Sequence, residues 1–306
     1  MKKILLLIAT MAIGSVSAKP SVVSTIYPLQ QIANAIVGQP TDLINESHLS
    51  PHSYHVKPAD IQKITDSDIV LWVGPALMPQ LDKYIDKRAD EKITLTATEL
   101  PNIQLLESNH KHHEHHDNEH HHEYHNNKGD NEHTHEMNID PHLWLSTDNA
   151  VVIAKSLTDS LIKLDKANTD SYQKNLQQFL TDVEKTKAKI IADFSHNPTP
   201  NYFVFHNAYA YFEKEFAVSY RGVITLYAGQ IPKAKHLYQL SKQLKQMQKT
   251  CLFREPQFDS KIIKRLTDGT SVKIATLDPI GYEKDKNIGY PMILENIAKQ
   301  IIGCGK

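Results

Sequence analysis

Residues 168–196 place apolar side chains at Tyr172, Leu176, Phe179, Leu180, Val183, Ile190, Ile191 and Phe194. This is helical spacing, and it predicts a helix ~43 Å long at 1.5 Å per residue. Pro198 and Pro200 close it. On both sides the chain alternates short apolar runs with amphipathic stretches. Strand-like runs lie at 22–26, 42–45, 69–73 and 93–95, with helical patterns at 28–37, 58–65, 76–88 and 146–164. Beyond the long helix, strands are expected at 202–205, 219–226, 251–254 and 272–277, and helices at 208–216, 232–249, 260–267 and 290–302. Such alternation predicts parallel sheets covered by helices. The expected fold is therefore α/β, with two Rossmann-like lobes, 19–167 and 197–306, joined by a long rigid backbone helix at 168–196. No convincing internal repeat accompanies it.

The first eighteen residues read as an export signal. Lys2 and Lys3 supply positive charge, residues 4–13 are almost wholly apolar, and Val16-Ser17-Ala18 is a small-residue cleavage site. The apolar run is shorter than the ~20 residues a membrane span needs. No cysteine follows it to carry a lipid anchor. A soluble periplasmic protein is expected, with Lys19 as its first mature residue. The compartment is oxidising, so the two cysteines, Cys251 and Cys304, are expected to pair. Two zinc-binding thiolates are the alternative; neither cysteine has a second Cys or a His within a few residues.

Formal net charge is −1 with histidines neutral, which leaves no basic field for nucleic acid. The unusual feature of the composition is 18 histidines. Most lie in a tract, 107–137, made of His, Glu, Asp, Asn and Lys. A segment so poor in aliphatic residues is expected to be disordered without a ligand. Its clusters His112-His113, His115-His116 and His120-His121-His122 suit a low-affinity auxiliary zinc or copper site.

Three histidines outside the tract are placed differently. His206 directly follows the strand Tyr-Phe-Val-Phe. His52 follows the second strand after a short loop, and His142 precedes a helix. Asp278 directly follows the strand-like run ending Ala-Thr-Leu. Ligands of open α/β sheets bind beyond the carboxyl ends of strands, so facing lobes would bring these four groups into one cleft. Three neutral imidazoles and an oxygen suit tetrahedral Zn²⁺, whereas Mn²⁺ favours more carboxylate oxygen. His55 competes with His52 for the first position. Asp278 has an alternative role in capping a turn before Pro279 and Gly281, and Glu255 is a candidate buried structural carboxylate.

Six stretches in order sharpen this reading. They are Pro51-His52-Ser53-Tyr54 with Lys57-Pro58-Ala59-Asp60, Val70-Leu71-Trp72-Val73-Gly74-Pro75, and Asp140-Pro141-His142-Leu143-Trp144-Leu145-Ser146. Then come Phe203-Val204-Phe205-His206-Asn207-Ala208-Tyr209, Phe253-Arg254-Glu255-Pro256-Gln257-Phe258 and Leu277-Asp278-Pro279. Together they resemble the metal-receptor (cluster A-I) family of ABC transporter solute-binding proteins, and its zinc receptors most of all. The resemblance spans the mature chain. It implies two α/β lobes, a long backbone helix, one metal between the lobes held by His52, His142 and His206, and a His-rich loop in the first lobe. It is also consistent with a Cys251–Cys304 bridge. Zinc receptors of this family carry His at the third position, and manganese receptors carry Glu. Two departures stand out. Some zinc members have Glu directly before the first ligand, where this chain has Pro51, so the fourth ligand is Asp278 or water. Some have an auxiliary-site His after residue 219, where this chain has Arg221-Gly222-Val223.

The function expected is high-affinity capture of Zn²⁺ in the periplasm, by a monomer, for delivery to an ABC permease, with an accessory periplasmic zinc chaperone as a further partner. Alternatives are a periplasmic metal buffer or metallochaperone, a manganese receptor, and a zinc hydrolase. The last would need a general base near the open metal position, and no HExxH-type arrangement is present; a non-enzyme is expected.

Overall fold

A computed structural model of the chain describes residues 19–46, 49–108, 139–225, 232–281 and 288–306. The expected export signal lies outside the described residues. So do the tract histidines His112, His113, His115, His116, His120, His121 and His122.

Two parallel four-stranded sheets form the two lobes. In the first, β1 (Val22–Ser24), β2 (Asp42–Leu43), β3 (Ile69–Trp72) and β4 (Ile93–Thr96) take the order β2-β1-β3-β4. Helices α1 (Tyr27–Val37), α2 (Pro58–Asp66) and α3 (Pro79–Ile85) connect them. Then come α4 (Thr147–Leu164) and the long α5 (Thr169–His196). In the second lobe, β5 (Asn201–His206), β6 (Gly222–Thr225), β7 (Thr250–Arg254) and β8 (Lys273–Thr276) take the order β6-β5-β7-β8. Its helices are α6 (Ala210–Phe216), α7 (Ala234–Gln246), α8 (Lys261–Thr267) and α9 (Tyr290–Cys304). The two sheets repeat one strand order although the sequence shows no repeat. Packing demands only the apolar pattern of each strand, which many residue combinations satisfy.

Local signals explain most element ends. Helix α1 has proline in its first turn and stops at Gly38, whose φ of 75° is left-handed. A Cβ there would also lie 2.8 Å from Asn175 Nδ2, so glycine answers both conformation and space. Helix α3 is shorter than the expected 76–88. Leu77 and Met78 N–H groups instead fold back onto Gly74 O, and Pro79 begins the helix proper. Ser146 caps α4 by accepting from Asn149 N–H at 3.3 Å.

The long helix is amphipathic, as its spacing requires. Tyr172, Phe179, Val183, Thr186 and Ile190 are buried, whereas Ile191, counted in the apolar pattern, is half exposed. Helix α5 packs on α4, α1 and α9, so it touches both lobes. One continuous buried cluster runs from β1 through α5 to α9. Polar bonds cross between the lobes as well. Trp144 Nε1 donates to Pro279 O at 2.8 Å, and Tyr211 donates to Asp140 O at 2.9 Å. Tyr290 donates to Trp144 O at 2.7 Å. Lys187 on α5 pairs with Asp148 at 2.8 Å and Glu215 at 3.0 Å, and Glu215 also accepts from Thr147 N–H at the start of α4. A shared core with buried hydrogen bonds resists large hinge motion. Among the described residues, no helix is long and apolar enough to cross a membrane.

Cys251 on β7 and Cys304 at the end of α9 form a disulfide, with Cα atoms 6.1 Å apart. Their sequence separation of 53 residues corresponds, by loop entropy, to about 4 kcal/mol of stabilisation. Thermal unfolding followed by circular dichroism should therefore show a clear drop in midpoint on reduction. The Cys251→Ser, Cys304→Ser double variant should show the same drop without reductant and no further response to it.

Candidate metal centre

Two turns and one strand end bring three imidazoles together. The first is a single 3-10 turn, Pro51–Ser53, that carries His52. It is tied down by its neighbours: Asp60 Oδ2 accepts from Lys57 N–H at 2.7 Å and lies 2.8 Å from the Tyr54 hydroxyl, which donates to it. Gln80 on α3 donates to Pro51 O at 3.1 Å. The Ser-Tyr and Lys-Pro-Ala-Asp residues of the sequence motif are thus the support of the His52 turn.

His142 sits just before the turn Leu143–Leu145 that leads into α4. Asp140 Oδ1 accepts from both His142 N–H at 3.0 Å and Nδ1–H at 2.7 Å. Trp144 lies against the same ring, with centroids 5.3 Å apart. His206 is the last residue of β5, and Glu255 directly follows β7, the neighbouring strand. Glu255 Oε1 accepts from His206 Nδ1–H at 2.7 Å, and Phe258 meets the ring edge to face at 5.7 Å. Connections leave β5 and β7 toward opposite edges of their sheet, so this is the switch point where open α/β sheets bind ligands.

The geometry converges on the Nε2 atoms. His142 Nε2 lies 3.2 Å from His52 Nε2 and 3.2 Å from His206 Nε2. A four-coordinate zinc with Zn–N near 2.0–2.1 Å holds neighbouring ligand atoms about 3.3–3.4 Å apart. The two carboxylates take the Nδ1 protons of His142 and His206. That fixes the tautomer and leaves each Nε2 as a lone pair. Two acceptors facing each other at 3.2 Å repel unless a cation or proton is shared between them. His142 and His206 are buried and His52 is half buried. Burial, then the neighbouring His142 and His206, push the His52 pKa well below its ordinary value, so this ring is neutral near pH 7. The cavity around the rings is small, on the scale of one ion or one water.

Among the described residues, His52, His142 and His206 are the group of potential ligands whose atoms lie within 4.8 Å of one another. Asp278, expected with them, does not join: its Oδ1 accepts from Ile280 N–H at 3.0 Å and from Gln257 Nε2 at 2.9 Å. The first of these bonds is the turn-capping role open to an Asp two residues before its donor. His55, the competitor of His52, points to solvent. Glu255, read as a buried carboxylate, is 1% exposed and holds His206. Asp140 was legible only as part of Asp-Pro-His. Its bond to the ring two residues on is the signal that an Asp at that spacing offers.

His52 supplies a measurable sign. Its folded-state pKa lies below the unfolded value of ~6.5, so the unfolded chain binds the extra proton first. The metal-free protein should lose stability as pH falls below ~6.5. Urea unfolding at pH 7.5 and 5.5 should show that loss, and His52→Gln should make it smaller.

A family model described as "Zinc-uptake complex component A periplasmic" matches residues 22–304. The high-affinity zinc uptake system protein ZnuA of Yersinia pestis is 33% identical over 299 residues, covering 94% of this chain and 92% of that protein. Among solved structures, a crystal structure of ZnuA aligns with a TM-score of 0.75 at 21% identity, covering 94% of this chain and all of that one. The periplasmic zinc-binding protein TroA of Treponema pallidum aligns equally well, at 0.75 and 19% identity over 94% of this chain and 99% of its own. The two structural likenesses establish the fold of two α/β lobes on a connecting helix. The family match spans nearly every described residue of both lobes, and the chain belongs to the periplasmic zinc-uptake component A family.

Proposed function

We propose that this chain is a zinc receptor that captures Zn²⁺ in the periplasm and delivers it to an ABC permease for uptake, acting as a binding protein and not as an enzyme. The observation that carries the reading is His142 Nε2 standing 3.2 Å from both His52 Nε2 and His206 Nε2, with His142 and His206 backed by carboxylates. His52, His142 and His206 would be its ligands. Neutral nitrogen donors favour zinc over manganese, which prefers a harder oxygen set. The carboxylates Asp140 and Glu255 fix the orientation of the rings they hold. They lie at Nδ1, across the ring from Nε2, where they are poorly placed to serve a hydrolase as general base.

Export by residues 1–18 supports the periplasmic location, together with relatives whose family description carries that word. The His-rich tract would act as an accessory that raises local zinc concentration, alone or with an accessory zinc chaperone. The common core and the interlobe bonds suit a monomer that opens little. Release to the permease would then depend on local rearrangement of the three ligand loops.

Competition titration against a chelating dye tests the site. Zinc affinity should fall by at least two orders of magnitude in His206→Ala and by about 10–100-fold in Glu255→Ala. Unchanged high-affinity binding in His206→Ala would remove the assignment. In the wild type, binding should weaken as pH falls, because protons compete with the ion for the ring nitrogens.

A further inference from the structure

Three imidazoles supply three corners of a tetrahedron, and the fourth corner needs an oxygen. Pro51, beside His52, has no donor side chain. Gln257, three residues past β7, lines the same small cavity as the three histidines. Its Nε2 donates to Asp278 Oδ1 at 2.9 Å. An ionised carboxylate only accepts, so the amide nitrogen must face Asp278 and the amide oxygen must point away from it. That oxygen, Oε1, is sealed from solvent and has no hydrogen-bond partner. A buried acceptor is normally satisfied, and Gln257 shares this small cavity with Glu255, whose Oε2 is likewise buried without a partner, so a donor bound in the cavity would answer a need on this side of the site. Water bound to a divalent cation is polarised into a strong donor.

We propose that Gln257 accepts a hydrogen bond from a water that completes the zinc coordination, and that Asp278 is a positioning residue for Gln257 and not the fourth ligand. The inference rests on the three-histidine reading above. Asp278 itself is held from two sides, by Gln257 and by Ile280 N–H, and is not among the residues lining the cavity. The same short loop after β7 therefore serves the metal twice, through Glu255 on His206 and through Gln257 on the water. A water ligand exchanges without moving a protein loop, which suits a receptor that must give up its cargo.

Zinc titrations on the mature chain distinguish the possibilities. Gln257→Met keeps the bulk and removes the acceptor; zinc affinity should fall about 10–100-fold while the metal-free melting temperature stays near that of the wild type. Asp278→Asn keeps an acceptor for Gln257 and should bind nearly as wild type, whereas Asp278→Ala should weaken binding as much as Gln257→Met. The Gln257→Met, Asp278→Ala double variant should be no weaker than Gln257→Met alone. A crystal structure of the zinc-loaded wild type, phased at the zinc edge, should show three nitrogens and one water on the metal. The proposal is overturned if Asp278 or Gln257 oxygen stands ~2.0–2.2 Å from zinc in place of that water. It is equally overturned if Gln257→Met binds as tightly as wild type, or if Asp278→Asn loses as much as Asp278→Ala. Failure of the wild type to bind zinc would instead bring down the three-histidine reading itself.

Discussion

The site depends on holding three imidazole nitrogens at a separation that a shared cation or proton makes favourable. His142 Nε2 stands 3.2 Å from each of its neighbours, and no neutral pair of acceptors would choose that distance. The repulsion is sustained because each ring is fixed by something else. Asp140 and Glu255 hold two of them by Nδ1, and the Tyr54–Asp60–Lys57 knot holds the turn that carries the third. The cost of that arrangement is returned when an ion enters. Preorganised sites of this kind lose little entropy on binding, which is one physical route to high affinity.

Preorganisation here comes from the interlobe packing. The ligands derive from both lobes, so any hinge opening would move His206 away from His52 and His142. Trp144, Tyr211 and Tyr290 each spend their polar atom on a backbone carbonyl of another segment, and all three are buried in the common core. Helix α5 gives that core its length, and the Cys251–Cys304 bridge anchors α9 to the strand that leads into Glu255. Support of the site and stability of the fold are therefore one network. Substitutions far from the metal, at the foot of α9 for example, would be felt at His206.

Much of this was readable in advance where the signal is local. Pro28 and Gly38 bracket α1, and Pro198 and Pro200 close the long helix, because backbone chemistry alone fixes such ends. His206 at the end of a strand was readable because the hydrophobic run stops there. The shortened α3 was not, since the turn from Gly74 competes with helix over the same residues. Asp278 was grouped with the histidines on its position after a strand and, with water, as a candidate fourth ligand where Pro51 replaces a Glu; that position is compatible with two directions of its carboxylate. The contact with Gln257 occupies its Oδ1, and it joins residues 21 apart in the chain.

The amino-acid sequence by itself pointed to the α/β class, the long helix, the pairing of the only two cysteines and, among eighteen histidines, the three that the fold brings together. Periodicity, compartment chemistry and position relative to strands are properties of short segments, and each segment carries them alone. Tertiary structure decided which atoms meet. It gathered the ring nitrogens of three histidines within 4.8 Å of one another, set Asp140 and Glu255 behind two of them, bonded Asp278 to Gln257 and Ile280, and left Gln257 Oε1 with no partner. Those outcomes depend on differences of about an ångström between segments far apart in the chain, and only the packing of two lobes on one helix fixes distances on that scale.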